Sequence, residues 1–482
     1  MKVAFVIDKI EFSIPLGIAY LSGILKKNGW DAKIFEIGGY LSSALKNLKH
    51  FKPDIVAYSV ISGKQKFYLD FNKNLKKELN FISLFGGPHA TFSPELIEKE
   101  SVDAVCIGEG ELALEEFVKK ISDHNEIPED VLNFWIKKNG KIIKNPVRPL
   151  LKELDVLPFP DRVTFYKNFP IINEHGIKHF LAHRGCPYRC TYCFNKAYND
   201  IYKNDKKIYR SRNPQKVCEE INYERTLTKI KMVGFVDDVF TLDKKWIRSF
   251  SEIYKKEVGI PFSINARFDN LDEEVICLLK ESNCVLVYIG IESGNDFIRN
   301  KILKRRMNID TIIKGANMLK KYKIKFLTEN IIGIPGEDFN AALDTLKLNI
   351  QIESDFANCS FFSPYPKLEL TNYAIENNYF NGDFSKLNIN YYHNILLNKK
   401  NKEDSNKKLN LRCFFSLIVK HPYLFNFFKR VFFRLPPNRI FRKFGDFVDG
   451  YYLKKCLPYK MGLRETLKNI FYYFYRYRRE AN

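Results

Sequence analysis

A chain of 482 residues is too long for a single hydrophobic core, so we expect two or three domains. Hydrophobic residues make up 45% of it, and no run of about 20 apolar residues occurs, which excludes a disordered chain and a membrane-spanning helix. The start KVAFVID predicts a strand rather than a signal peptide, and ten cysteines without paired spacing predict no disulfide framework. We therefore expect a cytoplasmic protein.

The formal net charge of +22 is concentrated near the end of the sequence. Residues 399–482 contain 21 Lys and Arg against 6 Asp and Glu. Such an asymmetry predicts an acidic partner for this tail.

Short apolar runs alternate with helical patterns over residues 1–122. The runs are KVAFVI, AKIFEI, DIVAYSV, FISLFGG and DAVCIG, and amphipathic stretches such as PLGIAYLSGILKKNGW separate them. Five such units predict an α/β fold with a doubly wound, Rossmann-like parallel sheet, whose ligands bind beyond the carboxyl ends of the strands. The loops GGPHATFSPE (86–95) and IGEGE (107–111) lie at that end.

Three further segments follow. Residues 123–178 are a predicted connector with a hairpin around Asn139–Gly140. Residues 179–365 contain six strand patterns separated by helical patterns, which predict a partial, TIM-like (β/α)6 barrel. Residues 366–482 lose the alternation and are predicted to be helical, basic and rich in aromatic residues.

The motif RGCPYRCTYCFN (184–195) carries the strongest chemical signal. It places Cys186, Cys190 and Cys193 in a C-x3-C-x2-C pattern on a loop after the first barrel strand. Three thiolates this close can bind three irons of a [4Fe–4S] cluster and leave the fourth iron open. The alternative is a zinc site with His183 as fourth ligand, although zinc sites usually have two cysteine pairs and no second pair follows.

Residues 179–365 resemble the radical S-adenosylmethionine (SAM) superfamily, and residues 1–122 resemble the cobalamin-binding domain that precedes this barrel in one branch. An aromatic residue, Tyr192, stands before the last cysteine, as in that family. Four later motifs match the family's strand ends in order: GFVDDVF (234–240), NARFD (265–269), GIESG (290–294) and GIPGE (333–337). The resemblance implies a [4Fe–4S] cluster that cleaves SAM to methionine and a 5′-deoxyadenosyl radical, which takes a hydrogen atom from the substrate.

The resemblance also implies SAM-binding roles for individual residues. Tyr192 belongs to the cysteine motif, Glu292 and Ser293 would contact the methionine or ribose, and Arg267 would meet the methionine carboxylate. The adenine would be lined by Gly333, Ile334 and Pro335. For each of these residues, a purely structural role is the alternative. No residue is assigned to hydrogen abstraction, and at most one of Asp237 and Asp238 can face the barrel interior.

The resemblance implies cobalamin in the first domain, with one departure from the family pattern. Classes with a histidine on the lower face of cobalt carry Asp-x-His-x-x-Gly, and residues 7–17, IDKIEFSIPLG, contain no histidine. We therefore expect cobalamin without a lower histidine ligand; a vestigial domain is the alternative. The residues expected around the corrin tail are Gly86, Gly87, His89, Thr91, Gly108, Glu109 and Gly110. Of these, His89 is expected to hydrogen-bond within its loop.

The expected function is cobalamin-dependent C-methylation of a small-molecule or lipid-linked substrate, with a reductant such as flavodoxin or ferredoxin. A radical cyclisation or rearrangement is the first alternative. A methylthiotransferase acting on RNA would need a second cysteine triad, and only Cys106 precedes Cys186. A non-catalytic cobalamin-binding protein is the third alternative.

The tail interleaves aromatic residues with cations in two stretches, 411–435 and 467–479. Such stretches predict peripheral contact with the anionic inner face of a membrane. Two alternatives remain: the aromatic residues close the barrel mouth, or they bind single-stranded RNA. RNA binding is the lesser of the two, so we expect no nucleic-acid partner.

Overall fold

The computed structural model describes residues 1–10, 12–39, 41–205, 207–384, 387, 392–398 and 401–459. Within these ranges, no helix combines the length and the apolar character that crossing a bilayer requires.

The first 144 residues form one seven-stranded sheet. Its strands are β1 (Lys2–Ile7), β2 (Asp31–Glu36), β3 (Ile55–Ser59), β4 (Ile82–Gly86), β5 (Ala104–Cys106), β6 (Phe134–Lys138) and β7 (Lys141–Lys144). Its helices are α1 (Leu16–Lys27), α2 (Leu41–Phe51), α3 (Gln65–Leu75), α4 (Gly87–Phe92) and α5 (Glu111–His124). The strand order is β2-β1-β3-β4-β5-β6-β7, and the first five strands are parallel. The predicted doubly wound sheet is confirmed, and its switch point lies between β1 and β3.

The hairpin β6–β7 extends this first sheet. Its turn has positive φ at both Asn139 (51°) and Gly140 (75°), as a tight two-residue hairpin requires. Strand β6 pairs antiparallel with β5, with Ala104 opposite Ile136. The sequence predicts this hairpin within the connector; in the structure it joins the first sheet and covers the edge of β5.

The second sheet is an open, six-stranded parallel barrel. Its strands, which neighbour one another in chain order, are β8 (Ile177–Phe180), β11 (Met232–Phe235), β12 (Phe262–Ala266), β13 (Cys284–Glu292), β14 (Lys325–Ile332) and β15 (Phe356–Phe361). Two short strands, β9 (His183–Arg184) and β10 (Arg210–Ser211), pair beside it. Helices α6 (Arg162–Asn168) and α7 (Pro170–Glu174) precede the barrel and share the core of the first sheet. The barrel helices are α8 (Phe194–Ile201), α9 (Pro214–Leu227), α10 (Lys244–Glu257), α11 (Glu273–Glu281), α12 (Ile309–Lys321) and α13 (Phe339–Ile352). This confirms the predicted partial barrel.

Alternation along β14 separates the barrel interior from its outer layer. Thr328 and Asn330 both bond to Asn349 of α13, so they face outward. Leu327 and Glu329 therefore face the interior. At the amino-terminal end, Leu327 packs in an apolar cluster that closes the barrel floor.

Four helices make up most of the remaining described residues, as predicted, and the described residues between α14 and α15 are mostly irregular. The helices are α14 (Glu369–Glu376), α15 (Lys402–Lys420), α16 (Phe425–Arg430) and α17 (Arg439–Cys456). Helix α15 packs on β15 and α13, where Leu411, Phe415 and Ile418 share a core with Phe361 and Leu346. The first half of the stretch 411–435 is therefore part of the barrel wall. The stretch 467–479 lies outside the described residues.

Candidate active site between the two sheets

The three cysteines of the C-x3-C-x2-C motif lie on one loop between β9 and α8. Cys186 and Cys190 are buried, and Cys193, at the start of α8, is partly exposed. Gly185 enters this loop with a φ of 87°, and a Cβ there would lie 2.3 Å from the Ile208 carbonyl oxygen. Only glycine fits this turn, so the backbone fixes the entry to the loop.

Hydrogen bonds from neighbouring elements hold the cysteine loop. Asn199 Nδ2 of α8 donates to Cys186 O over 2.9 Å. Thr191 donates from its backbone N to Leu303 O over 3.1 Å and from Oγ1 to Ile302 O over 2.7 Å. The loop is therefore ordered by contacts that do not involve the thiols, and the thiols are left for ligation.

The surroundings of the thiols suit an anionic cluster. Zinc needs four ligands around one ion, whereas in a cluster each cysteine binds a different iron. Asn195 Nδ2 lies 3.6 Å from Cys193 Sγ, and Arg267 Nη1 lies 4.0 Å from Cys190 Sγ. Such donors stabilise an anionic cluster.

Tyr192 links the cysteine loop to the carboxyl end of β13. Its hydroxyl donates to Glu292 Oε1 over 2.9 Å and accepts from Arg305 Nη1 over 2.9 Å. Glu292 follows a register shift after Gly290 and has a φ of 69°, a strained value for glutamate. Burial raises the pKa of Glu292, although the Arg305 charge and the Tyr192 hydrogen bond offset part of that effect. The cysteine loop, the end of β13 and Arg305 together fix the position of the Glu292 carboxylate.

Arg267 lies under the cysteine loop. Its guanidinium stacks 3.8 Å from the centroid of the Tyr188 ring, forms two hydrogen bonds to Asp269 of 2.9 and 2.8 Å, and donates to Arg305 O over 2.8 Å. Only 2% of the surface of Arg267 is exposed, so these contacts surround most of its guanidinium group. The expected contact with the methionine carboxylate stays a prediction.

The other SAM residues named from the sequence lie at the carboxyl ends of β13 and β14. Ser293 is fully buried, and its Oγ accepts from Asn295 N over 3.2 Å. Gly333, Ile334 and Pro335 form a buried turn, in which Gly333 N donates to Glu337 Oε2 over 2.5 Å. These positions agree with a site above the strand ends, and the individual contacts remain predictions.

A cavity of about 410 Å³ lies between the two sheets. From the first sheet it is lined by glycine-rich loops that include Gly86, Gly87, Gly108, Glu109 and Gly110. From the barrel side it is lined by Asn195, Val236 and Asp238. Asp237 does not line it; its buried carboxylate accepts from Ala182 N over 2.9 Å. The predicted cobalamin loops and the neighbours of the cysteine loop therefore face one space.

Glu109 joins the first domain to the barrel. Its two oxygens accept from Arg210 over 2.8 and 3.0 Å, and Arg184 Nη1 lies 3.4 Å away. Arg184 also donates to Glu111 over 2.7 Å. Burial acts to raise the pKa of Glu109, but the arginine hydrogen bonds and charges outweigh it and hold that pKa below its usual value. The carboxylate of Glu109, expected at the corrin tail, is thus used in an interdomain ion pair.

His89 and Thr91 lie behind the glycine loops. His89 Nδ1 lies 3.0 Å from Ser62 Oγ, as expected of a loop hydrogen-bonder, and burial lowers the pKa of His89. Thr91 Oγ1 accepts from Gly108 N over 3.1 Å. Both side chains therefore shape the loops, and a direct cofactor contact by either stays a prediction.

Sequence reasoning missed two arginines of this site. Arg305 lies in KRRM, outside every motif singled out, and its contacts are 113 residues away at Tyr192. Arg210 lies 101 residues from Glu109. Both contacts join residues far apart in the sequence, so no local pattern indicates them. They become notable only in the structure, because arginine is rarely buried.

Comparison with known proteins places both domains. The Radical SAM superfamily profile matches residues 181–348, and the B12 binding domain profile matches residues 6–118. The chain is 31% identical over 400 residues to an uncharacterised methyltransferase of Pyrococcus horikoshii, covering 78% of this chain and 84% of that protein. It is 27% identical to the anaerobic magnesium-protoporphyrin IX monomethyl ester cyclase of Rubrivivax gelatinosus, covering 74% of this chain and 65% of that protein.

The fold resembles that of TsrM, a radical S-adenosylmethionine methyltransferase from Kitasatospora setae solved with cobalamin and a [4Fe–4S] cluster bound. The TM-score is 0.64 at 15% identity, over 78% of this chain and 75% of that one. With a cysteine loop, a glycine-lined cavity and both domain profiles in place, the cofactors of the class are a [4Fe–4S] cluster, SAM and cobalamin. This chain belongs to the radical SAM superfamily, in the branch with an N-terminal cobalamin-binding domain.

Proposed function

We propose that this protein is a cobalamin-dependent radical SAM methyltransferase that adds a methyl group to an unactivated carbon of a small-molecule or lipid-linked substrate. The single observation that carries the proposal is the cavity bounded by Gly86, Gly108 and Gly110 on one side and by Asn195 and Asp238 on the other. When bound, the cofactors supply a substrate carbon radical and a methyl group to meet it.

The chain's own residues hold and orient these groups. Cys186, Cys190 and Cys193 would bind the cluster. Tyr192, Glu292 and Arg305 would hold the amino-acid part of SAM beside it, because their hydrogen bonds join the cysteine loop to the end of β13. The glycines of the first domain let the backbone approach a corrin closely.

We assign the substrate to the barrel interior around Glu329. Its Oε2 accepts from Asn358 Nδ2 over 2.7 Å, and the same nitrogen lies 3.3 Å from the Tyr392 hydroxyl. Burial raises the pKa of Glu329 to about 7, with the Asn358 hydrogen bond opposing it. A carboxyl group that titrates near neutrality can donate or accept a hydrogen bond, so it suits a polar group on the substrate.

A radical cyclisation is the second candidate, supported by the similarity to the Rubrivivax cyclase. The two candidates differ in the fate of the SAM methyl group. Anaerobically reconstituted protein, given cobalamin, a flavodoxin or ferredoxin reductant and SAM with a trideuterated methyl group, would be incubated with extract of a host that lacks this gene. Methyl transfer predicts a product 3 Da heavier than that made with ordinary SAM; cyclisation predicts a product of unchanged mass. Glu329→Ala should lower product formation at unchanged iron content.

A lipid-linked substrate would be found at a membrane. We propose peripheral contact with the inner face of a membrane, which would give the enzyme access to lipid-linked substrates.

A further inference from the structure

The exposed apolar residues of the described chain are concentrated near its end. Eight large hydrophobic side chains with at least 40% of their surface exposed fall between residues 423 and 451. They are Tyr423, Phe427, Val431, Leu435, Ile440, Phe444, Phe447 and Tyr451. Clustered exposure of this kind marks a surface that contacts something apolar, whereas single exposed residues do not.

Four of these side chains form a stripe along α17. Ile440, Phe444, Phe447 and Tyr451 recur at i, i+4, i+7 and i+11, so they share one face of the helix. Ile440 is 77% exposed and Phe447 is 73% exposed. A surface helix of a globular protein normally turns its polar face to water, so this stripe is unexplained by folding of the described residues alone.

The opposite face of α17 already packs on the barrel. A Cβ at Gly445 would lie 2.4 Å from Cys413 O, so α17 and α15 touch through their backbones. Asp446 Oδ1 accepts from Arg412 Nη1 over 3.0 Å, and Asp449 Oδ2 lies 3.3 Å from Arg412 Nη2. Both carboxylates of α17 are thus paired on its inner side, and the stripe faces away from the barrel.

The segment before α17 continues the exposed surface. The Phe432 ring lies 5.6 Å from the Phe427 ring and 5.6 Å from the Phe441 ring, centroid to centroid. These contacts join α16 to the start of α17. We call the exposed side chains of residues 423–451 the C-terminal face.

Cations surround the C-terminal face. Residues 421–459 contain eight Lys and Arg against two Asp, and the two are the paired Asp446 and Asp449. Arg430, Arg439 and Lys443 are exposed, and none of them takes part in a salt bridge among the described residues. The surface is therefore apolar and cationic at once.

We infer that the C-terminal face docks on an anionic lipid bilayer. Side chains such as Ile440 and Phe447 would enter the headgroup boundary while Arg430, Arg439 and Lys443 meet lipid phosphates. This deepens the proposed membrane contact by naming its surface, and it does not depend on methyl transfer being the reaction.

Charge argues against two other occupants of this face, the segment that follows it and a second copy of the chain. Residues 460–482 contain six Lys and Arg against two Glu, so this segment would be repelled from a cationic face. A second copy of the chain would present the same cations to it. Single-stranded RNA is anionic and stacks on aromatic rings, and five of the eight exposed side chains carry a ring. The aliphatic side chains Ile440, Val431 and Leu435 favour a lipid boundary over stacked bases, and binding to oligouridylate is therefore an outcome of the test.

Flotation of the full-length protein with vesicles tests the inference. Phosphatidylcholine vesicles with 30 mol% phosphatidylglycerol would be compared with pure phosphatidylcholine vesicles, roughly at 0.1 M and 0.5 M salt, where screening differs severalfold. We expect at least about tenfold more binding to the anionic vesicles at low salt, and loss of that excess at high salt.

Point variants on the C-terminal face are used instead of a truncated chain, because truncation near residue 399 would remove α15 from the barrel wall. Ile440→Ser with Phe447→Ser should reduce anionic-vesicle binding about tenfold or more, since both side chains lose their apolar contact. The matched control is Val156→Ser with Tyr223→Ser, two exposed side chains at 56% and 47% outside the face; it should bind like the wild type.

Three results would overturn the inference: no vesicle binding by the wild type, equal binding by the two double variants, or binding to oligouridylate in place of vesicles. Deoxyadenosine formation by the same samples reports on the radical chemistry separately, so failure of either claim is distinguishable from failure of the other.

Discussion

The Tyr192 hydroxyl donates a 2.9 Å hydrogen bond to Glu292 Oε1, across 100 residues of sequence. Tyr192 belongs to the cysteine loop and Glu292 to the end of β13, two motifs that the sequence presents separately. The bond means that the cysteine loop and the carboxyl end of β13, where SAM is expected, are positioned by one another. Arg305, which donates to the same hydroxyl, completes the junction.

Tyr192→Phe tests this junction. The variant removes both hydrogen bonds and leaves the buried Glu292 and Arg305 without their shared partner, which costs about 1–3 kcal/mol. We expect SAM cleavage to fall about tenfold or more, with cluster absorbance per protein retained. Tyr188→Phe is the matched control, because it lies on the same loop and keeps its ring on Arg267 while losing a 2.9 Å bond to Asn270. Equal losses in the two variants would contradict the proposed role.

Glu109 should stabilise the docking of the two domains. Glu109→Ala removes the carboxylate that Arg184 and Arg210 share, and both guanidinium groups are mostly buried. We therefore expect the free energy of unfolding in urea to fall by about 3 kcal/mol. Glu78→Ala is the control, because the Lys49–Glu78 pair is about half exposed and should contribute less than about 1 kcal/mol. Similar values for both variants would show that the interdomain pair is not important.

The pH dependence of that contribution has a definite sign. Since the folded-state pKa of Glu109 is lowered, its stabilisation is fully present above the unfolded value of about 4.3 and is lost as the pH falls through the lower folded value. The wild type and Glu109→Ala should therefore converge in stability in acid. A constant difference down to about pH 3 would argue against an ion pair.

Glu337 should give the stability a pH dependence of the opposite sign to that of Glu109. Burial raises its pKa to about 7, with the Lys408 charge and the Gly333 amide opposing that effect, and its Oε1 has no hydrogen-bond partner among the described residues. A raised pKa means that stability is lost as the pH rises from about 4.3 towards 7, by roughly 3–4 kcal/mol. Glu337→Gln should flatten this dependence between pH 5 and 8, measured by thermal unfolding. A variant with the wild-type slope would assign the loss to other groups.

Bound cobalamin should lack a lower histidine ligand. The first-sheet residues that line the cavity include no histidine, and His183 lines it from the barrel side rather than from the domain expected to bind cobalamin. Electron paramagnetic resonance of the bound Co(II) state should show no nitrogen superhyperfine splitting from a lower ligand. Observed splitting would contradict this, and an absence of bound cobalamin would favour a vestigial domain.

Local patterns predicted what depends on neighbours in sequence. Apolar runs bounded by turn residues marked strands such as β1 and β13, and Asn139–Gly140 marked a hairpin because both need positive φ. The pairing of that hairpin with β5 is non-local, and no period in the sequence encodes it.

The tail shows the same limit. Leu411 and Phe415 interleave with cations, which indicated an exposed amphipathic stretch, yet they lie in the barrel wall. Their neighbour Arg412 is buried because Asp446 and Asp449, more than 30 residues later, pair with it. The C-terminal face was hidden for the same reason: which side of α17 is covered depends on where α15 packs.

The central claim is that Cys186, Cys190 and Cys193 hold the cluster that cleaves SAM, and 5′-deoxyadenosine formation measures this most directly. After anaerobic reconstitution with iron and sulfide and reduction with dithionite, the wild type should convert SAM to 5′-deoxyadenosine. Each single Cys→Ala variant should form none and should lose cluster absorbance, while Cys277→Ala, a partly exposed cysteine outside the motif, should behave like the wild type. Deoxyadenosine formation by the triple-alanine variant would contradict the account.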